Sequence, residues 1–266
     1  MKRSILFTLL CCVCVALPSA AQTAAPEGMV QIPAGKFWMG RTQAAYRDSI
    51  DKVARLQMDD RPANHIELDA FYMDKYEVTN ANYAKFIAAT GARAPWHWPE
   101  GKIPDGQEKQ AVSNVNWFEA TDFCKWAGKR LPTEAEWEKA ERGGLDSKTY
   151  SWGDDANGIA GEDGKPPALP AAVNKDQAGA VGAYAPNGYG LYDMTGNVLE
   201  WINDWYDWNY YAFMPQKNPR GPETGKYRSV RGGGWTDNKG ERLTTYYRQY
   251  SDPELRGSTI GFRCAK

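Results

Sequence analysis

The run Pro186-Asn187-Gly188-Tyr189-Gly190-Leu191-Tyr192-Asp193-Met194-Thr195-Gly196-Asn197-Val198-Leu199-Glu200-Trp201 decides how this chain is read. It lies beyond Gly144, where regular hydrophobic periodicity fades and Gly, Pro, Asn, Asp and aromatic residues take over. Backbone of this kind is loop, and its polar groups need partners if it is to be ordered. Two acids, Asp193 and Glu200, flank the carbonyls of Gly196 and Val198 in a tight turn. Calcium takes about six to eight hard oxygens, and such a turn offers carboxylates and carbonyls together. The plainer reading is that Asp and Asn in a turn bond their own backbone. Spacing alone leaves both open.

Upstream of this run, three helices carry their own punctuation. Thr79 caps a helix expected over 80–90, with Tyr83, Phe86 and Ile87 on one face and Gly91 as its stop. Asn116 and Glu119 form a capping box for a second helix over about 117–127, which Gly128 ends. Ala120, Cys124 and Ala127 share its inward side. Thr133 and Glu136 box a third, stopped by Gly143. Met29 to Gly40 alternates around Pro33-Ala34-Gly35 and predicts a hairpin. His65 to Met73 predicts a further strand, and Tyr227 to Arg231 a short one. Residues 154–172, rich in Gly, Pro and Ala, predict a surface loop. No repeat or composition step divides residues 28–266, so one α+β domain with few helices and much ordered loop is expected.

The first 21 residues have the layout of a secretory signal: Lys2 and Arg3, an apolar run from Ile5 to Leu17, then Ser19-Ala20-Ala21. Residues 22–27 form a short polar leader. The apolar run is too short for a membrane span and no second one follows, so a secreted or periplasmic protein without membrane insertion is expected. Cleavage would remove Cys11, Cys12 and Cys14 and leave Cys124 and Cys264 of the five cysteines. In an oxidising compartment these two form one disulfide or stay as buried thiols. With 32 basic and 33 acidic residues, the chain has no electrostatic footprint for nucleic acid or anionic membrane. Its 11 Trp and 15 Tyr suit a fold with much irregular backbone, whose polar groups their tips can satisfy.

Several blocks occur in a fixed order. Glu77-Val78-Thr79-Asn80 precedes Trp126-Ala127-Gly128-Lys129-Arg130-Leu131-Pro132-Thr133-Glu134-Ala135-Glu136-Trp137-Glu138. After these come the opening run, Arg231-Gly232-Gly233-Gly234-Trp235 and Gly261-Phe262-Arg263-Cys264. Together they resemble the formylglycine-generating, or sulfatase-modifying factor, enzymes from about residue 28 to the end. The resemblance implies a fold related to C-type lectins, with a small twisted sheet, few helices and long loops. It implies a disulfide between Cys124 and Cys264, and loss of the family's second bridge, one place of which is Glu141. It implies a structural calcium held by the side chains of Asp193 and Glu200 and the carbonyls of Gly196 and Val198. For a second calcium, in a shortened loop, only Asn174 and Asp176 remain.

The family's enzymes use two cysteines after a Gly-Gly-Ser text as copper-binding thiolates that activate oxygen. The matching positions here are Asp237 and Arg242, with Gly234 for the serine and Leu199 at an aromatic pocket position. Neither a copper site nor thiol-based formylglycine synthesis is therefore expected. His65 and His97 stand far apart in sequence and suggest no iron triad. Trp235, Asp237, Arg242, Tyr246, Tyr247 and Arg248 come from the segment that lines the family's substrate groove. They would grip a peptide, a protein or a polar small molecule; the plainer reading is polar surface with one internal ion pair. The expected function is that of an exported, calcium-stabilised binding or assembly module. The alternative is an altered-chemistry oxidase or maturation enzyme, similar to the periplasmic relative in pyoverdine maturation, which also lacks the thiol pair.

Overall fold

The computed structural model describes residues 25–42, 59–158, 170–173, 175–237 and 240–266. The expected signal segment, residues 22–24 of the leader, residues 159–169 of the expected surface loop and Asn174 lie outside them.

The chain opens with an antiparallel arm. β1 (Met29–Ile32) pairs with β4 (Phe71–Asp74), and β2 (Gly35–Met39) with β3 (Asn64–Leu68). The register runs unbroken from Met29↔Asp74 through Gly35↔Leu68 to Met39↔Asn64, with one interruption at 33–34 facing 69–70. This corrects two expectations. Met29 to Gly40 is not a hairpin, because β1 and β2 do not pair with each other. The strand expected over 65–73 is two strands. Pro33 has no N–H to give the ladder. The interruption is satisfied from outside the arm: Lys139 Nζ donates to Pro33 O at 2.6 Å and Gly35 O at 2.9 Å, and Asp69 N donates to Asn218 Oδ1 at 2.9 Å.

The helices form where their caps place them. α1 (Asn80–Thr90) starts at Thr79, whose side chain accepts from Asn82 N, and closes at Gly91 with a φ of 73°. α2 (Trp117–Trp126) and α3 (Glu134–Arg142) both carry complete capping boxes, from Asn116–Glu119 and Thr133–Glu136. α2 ends at Ala127, slightly before the expected stop at Gly128. No helix among the described residues is long and apolar enough to cross a membrane.

β5 (Leu199–Trp205), β6 (Arg228–Arg231), β7 (Gln249–Ser251) and β8 (Ile260–Gly261) form a sheet in the order β7-β6-β5-β8. Only the β5–β8 pairing is parallel. One apolar cluster joins the arm to α3 and β5 through Ile32, Met39, Ile66, Trp137 and Ile202. A second packs α1 and α2 on the sheet through Tyr83, Phe123, Trp201, Val230 and Phe262. Each such side chain contributes roughly 1.5–3 kcal/mol on burial. Cys124 and Cys264, both fully buried in the second cluster, are bonded to each other across 140 residues. The architecture is the expected α+β class.

Candidate functional site

The turn that leads into β5 bends through three left-handed residues, Asp193 (φ 55°), Gly196 (φ 84°) and Asn197 (φ 58°). At Gly196 a Cβ would lie 2.9 Å from Ala172 O, so the position admits only glycine without movement. Asn197 ties the turn on both sides. Its Oδ1 accepts from Gly179 N at 2.7 Å, and its Nδ2 donates to Glu77. Glu77 also accepts from Val198 N at 3.2 Å. Asp193 Oδ2 accepts from Gly182 N at 2.6 Å.

Glu200 has a different setting from the one expected of it. Arg263 Nε reaches both of its oxygens, at 2.8 and 2.9 Å, and Trp137 Nε1 donates to Oε2 at 2.8 Å. Arg263 Nη2 also donates to Tyr192 O at 2.8 Å, so one guanidinium spans the turn and the strand. Each oxygen of Glu200 thus accepts at least one hydrogen bond within the fold.

The charge at this site does not balance. Among the described residues, Glu77, Asp193 and Glu200 all face the guanidinium of Arg263. Burial, then repulsion from Asp193 and Glu200, pushes Glu77 well above the usual carboxylate range. Burial also raises Asp193, against the Gly182 amide and Arg263. Such an excess of buried negative charge suits a hard divalent cation. The donors expected for it are the side chains of Asp193 and Glu200 and the carbonyls of Gly196 and Val198. Among the described residues, no group of three or more His, Cys, Asp or Glu side chains is arranged to hold a metal ion, so a calcium here would rely on those carbonyls. Asp176, from the second expected set, is exposed.

The groove candidates separate into three settings. Asp237 is buried, with Oδ1 accepting from Arg242 Nη1 at 3.0 Å and Oδ2 from Gly234 N at 2.9 Å. Arg242 remains 60% exposed, so this is the internal ion pair of the plainer reading. Trp235 is half-buried, with its Nε1 donating to Ser258 O at 3.3 Å. Tyr246 is buried beneath Arg41, whose guanidinium carbon lies 4.4 Å from the ring centre. Arg248 is no groove residue: it is enclosed in the protein and bonded to Glu134. The histidines stay apart, His65 stacked on Trp38 and His97 bonded to Asn114.

The sequence matches the family model of the sulfatase-modifying factor enzyme 1-like domain over residues 15–266. The chain belongs to the sulfatase-modifying factor family. It is 35% identical to the formylglycine-generating enzyme of Streptomyces coelicolor, over 94% of this chain and 96% of that one. It is 30% identical to the inactive C-alpha-formylglycine-generating enzyme 2 of Bos taurus, over 89% of this chain and 87% of that one. Its fold is similar to that of PvdO from Pseudomonas aeruginosa, with a TM-score of 0.69 and 26% identity, covering 89% of this chain and 93% of that one.

Among the described residues of this sulfatase-modifying factor chain there is also a buried network of charges that the sequence reading missed. α3 is polar in composition, yet Glu134, Glu138 and Glu141 are all buried. Arg231 from β6 donates to Glu134 at 3.0 Å and to Glu138 at 2.8 Å. Arg248 donates to both oxygens of Glu134, at 2.7 and 3.0 Å, and Arg142 to Glu138 at 2.7 Å. Burial pushes Glu134 up, but Arg248 and Arg231 outweigh it and hold the carboxyl at about 2. The available signal was glutamates four apart on a helix together with arginine inside a short strand.

Proposed function

We propose that this protein is an exported member of the sulfatase-modifying factor family that performs no thiol–copper formylglycine chemistry and serves as a calcium-stabilised binding or assembly module. The observation that carries this reading is the ion pair of Asp237 with Arg242, at the places where the resemblance implies the reactive thiols. The two cysteines of the folded domain are bonded to each other. Carboxylate and guanidinium are hard groups and cannot replace thiolates as ligands for Cu(I). The test is oxidation of a cysteine-containing peptide substrate by the purified protein with copper and oxygen, beside the Streptomyces coelicolor enzyme as positive control. No aldehyde above background is expected; aldehyde formation that scales with this protein would overturn the reading.

The calcium would be held by the side chains of Asp193 and Glu200 and the carbonyls of Gly196 and Val198. Bound there, it would offset the excess of acid and clamp the turn. At free calcium near a hundred times the dissociation constant it would add about 2.7 kcal/mol. Chelation is therefore expected to lower the melting temperature by several degrees, and Asp193→Asn to remove that response. A wild-type melting temperature indifferent to chelation would sink the clamp. For recognition of a peptide, protein or polar small molecule, the accessible groups are Trp235 and Arg242. The alternative, an altered-chemistry maturation enzyme, is favoured by the similarity to PvdO. Stoichiometric copper or iron surviving dialysis would move that alternative to first place.

A further inference from the structure

Beside the turn lies a cavity of about 230 Å³, whose lining includes Ser151, Trp152, Pro186, Leu191, Met194 and Thr195. One side of it is a chain of three oxygen groups. Ser151 Oγ lies 2.9 Å from Thr195 Oγ1, and Thr195 Oγ1 donates to Glu141 Oε1 at 3.1 Å. Thr195 has one hydroxyl proton and gives it to Glu141, so Ser151 is the donor between the two hydroxyls. The lone pairs of Ser151 are then left as acceptors. Behind the pair, Glu141 is 1% exposed, and its second oxygen has no partner. The lining also holds the acid Asp193 and, among the described residues, contains no lysine or arginine. The rest is largely apolar, with Trp152 held flat on Tyr150 at a centroid distance of 4.9 Å.

We infer that this cavity binds a primary ammonium group carried on a short apolar chain, received by Ser151 and backed by Thr195 and Glu141. An ammonium brings N–H donors and no acceptor, which complements a lining of acceptors. Pro186, Leu191 and Met194 take the carbon chain. Glu141 acts through Thr195 and is a positioning residue. It is faced by Arg231 from β6 and by Glu138 and Arg142 of α3. Burial pushes its carboxyl up to about 8; Arg231 opposes the rise and Glu138 adds to it. A cation bound nearby favours the ionised form, so binding near neutral pH releases a proton. The inference shares Asp193 with the proposed calcium site but does not rest on it, since the ammonium is received by Ser151, Thr195 and Glu141. The ammonium has two sources, a free amine or a lysine side chain of a partner.

The test is calorimetric titration of the full chain with butylammonium, with acetyl-lysine amide, and with tetramethylammonium, which has no N–H donor. Two buffers of different protonation enthalpy report proton release. Saturable butylammonium or lysine-amide binding is expected, with tetramethylammonium about tenfold weaker, the loss of one charge-assisted hydrogen bond. Stronger binding of one or the other names the source. Ser151→Ala and Thr195→Val each weaken binding about tenfold. Glu141→Gln abolishes the proton release, and Glu141→Asp keeps part of it. No saturable binding, equal binding of all three cations, or unchanged binding in Ser151→Ala would overturn the assignment. Amine binding that is only competition with calcium would also overturn it, leaving the calcium clamp standing. Binding that persists in chelated protein supports the site whatever becomes of the clamp.

Discussion

Arg248→Met removes a cation that the protein encloses completely. Arg248 Nε and Nη2 donate to Glu134, and Nη1 donates to Asp59 O at 2.7 Å and Asp207 O at 3.2 Å. The ring of Tyr211 lies 4.3 Å from its guanidinium carbon. Methionine fills part of the space with an unbranched apolar chain and keeps none of the donors. Removing one partner of a buried pair costs about 3–5 kcal/mol, because the other charge is left uncompensated. Glu134 here keeps Arg231 at 3.0 Å and Ser229 Oγ at 3.1 Å, which places the variant at the low end, about 3 kcal/mol.

The pH dependence of that variant follows from Glu134. Its carboxyl is depressed from 4.5 to about 2 in the folded protein. A depressed carboxylate stabilises the fold above its unfolded pKa, and the contribution is lost as pH falls from 4.5 toward 2. The gap corresponds to roughly 3 kcal/mol. Without Arg248 the folded pKa of Glu134 rises, so this acid loss shrinks. Urea unfolding followed by tryptophan fluorescence between about pH 2 and pH 7 reads both effects. Adding Glu134→Gln to Arg248→Met should recover part of the loss by removing the orphaned charge. A cost under about 1 kcal/mol at neutral pH, or a wild-type acid profile, would refute the argument.

Three other variants probe separate features. Glu141 has its carboxyl raised to about 8 by burial, so wild-type stability should fall as pH rises from 4.5 through 8. Glu141→Gln should lose that slope and exceed the wild type by on the order of 2–4 kcal/mol above it, read by urea midpoints at both ends. Cys124→Ser opens the 140-residue loop and should cost up to about 4 kcal/mol, measured against wild type with and without reductant. Arg242→Ala should cost under about 1 kcal/mol, since its pair with Asp237 is largely exposed on the arginine side. Asp237→Ala should cost about 1–3 kcal/mol, because it orphans the buried Gly234 N–H; thermal unfolding separates the two.

Much of the fold was legible because its signals are local. Thr79, Asn116 and Thr133 satisfy amide groups within three residues of themselves, so their capping is written in adjacent letters. The inward face of Cys124 followed from helical spacing alone. Pairing was less legible. Met29 to Gly40 alternates like a hairpin, yet β1 and β2 each find a partner 25 or more residues downstream. Alternation states which face is buried and is silent about the neighbouring strand.

The candidate site divides in the same way. Asp193, Gly196 and Asn197 were recognisable as a turn, and their left-handed backbone is what such residues permit. Glu200 was named as a ligand by the family resemblance, while spacing alone left its role open. Its neighbours in space are Arg263 and Trp137. Arg248 was placed in a groove by its segment, and the fold instead carries it inward onto Glu134.

The sequence by itself determined the family, the helix limits and the turn before β5. Each of these rests on residue type and on interactions within a few positions of the chain. Only the tertiary structure decided which acids meet which cations. Glu134 with Arg248, and Glu200 with Arg263, lie 114 and 63 residues apart. A charge has no preferred partner along the chain; burial, by removing the competing water, makes the pairing obligatory and selects the cation that packing brings within reach.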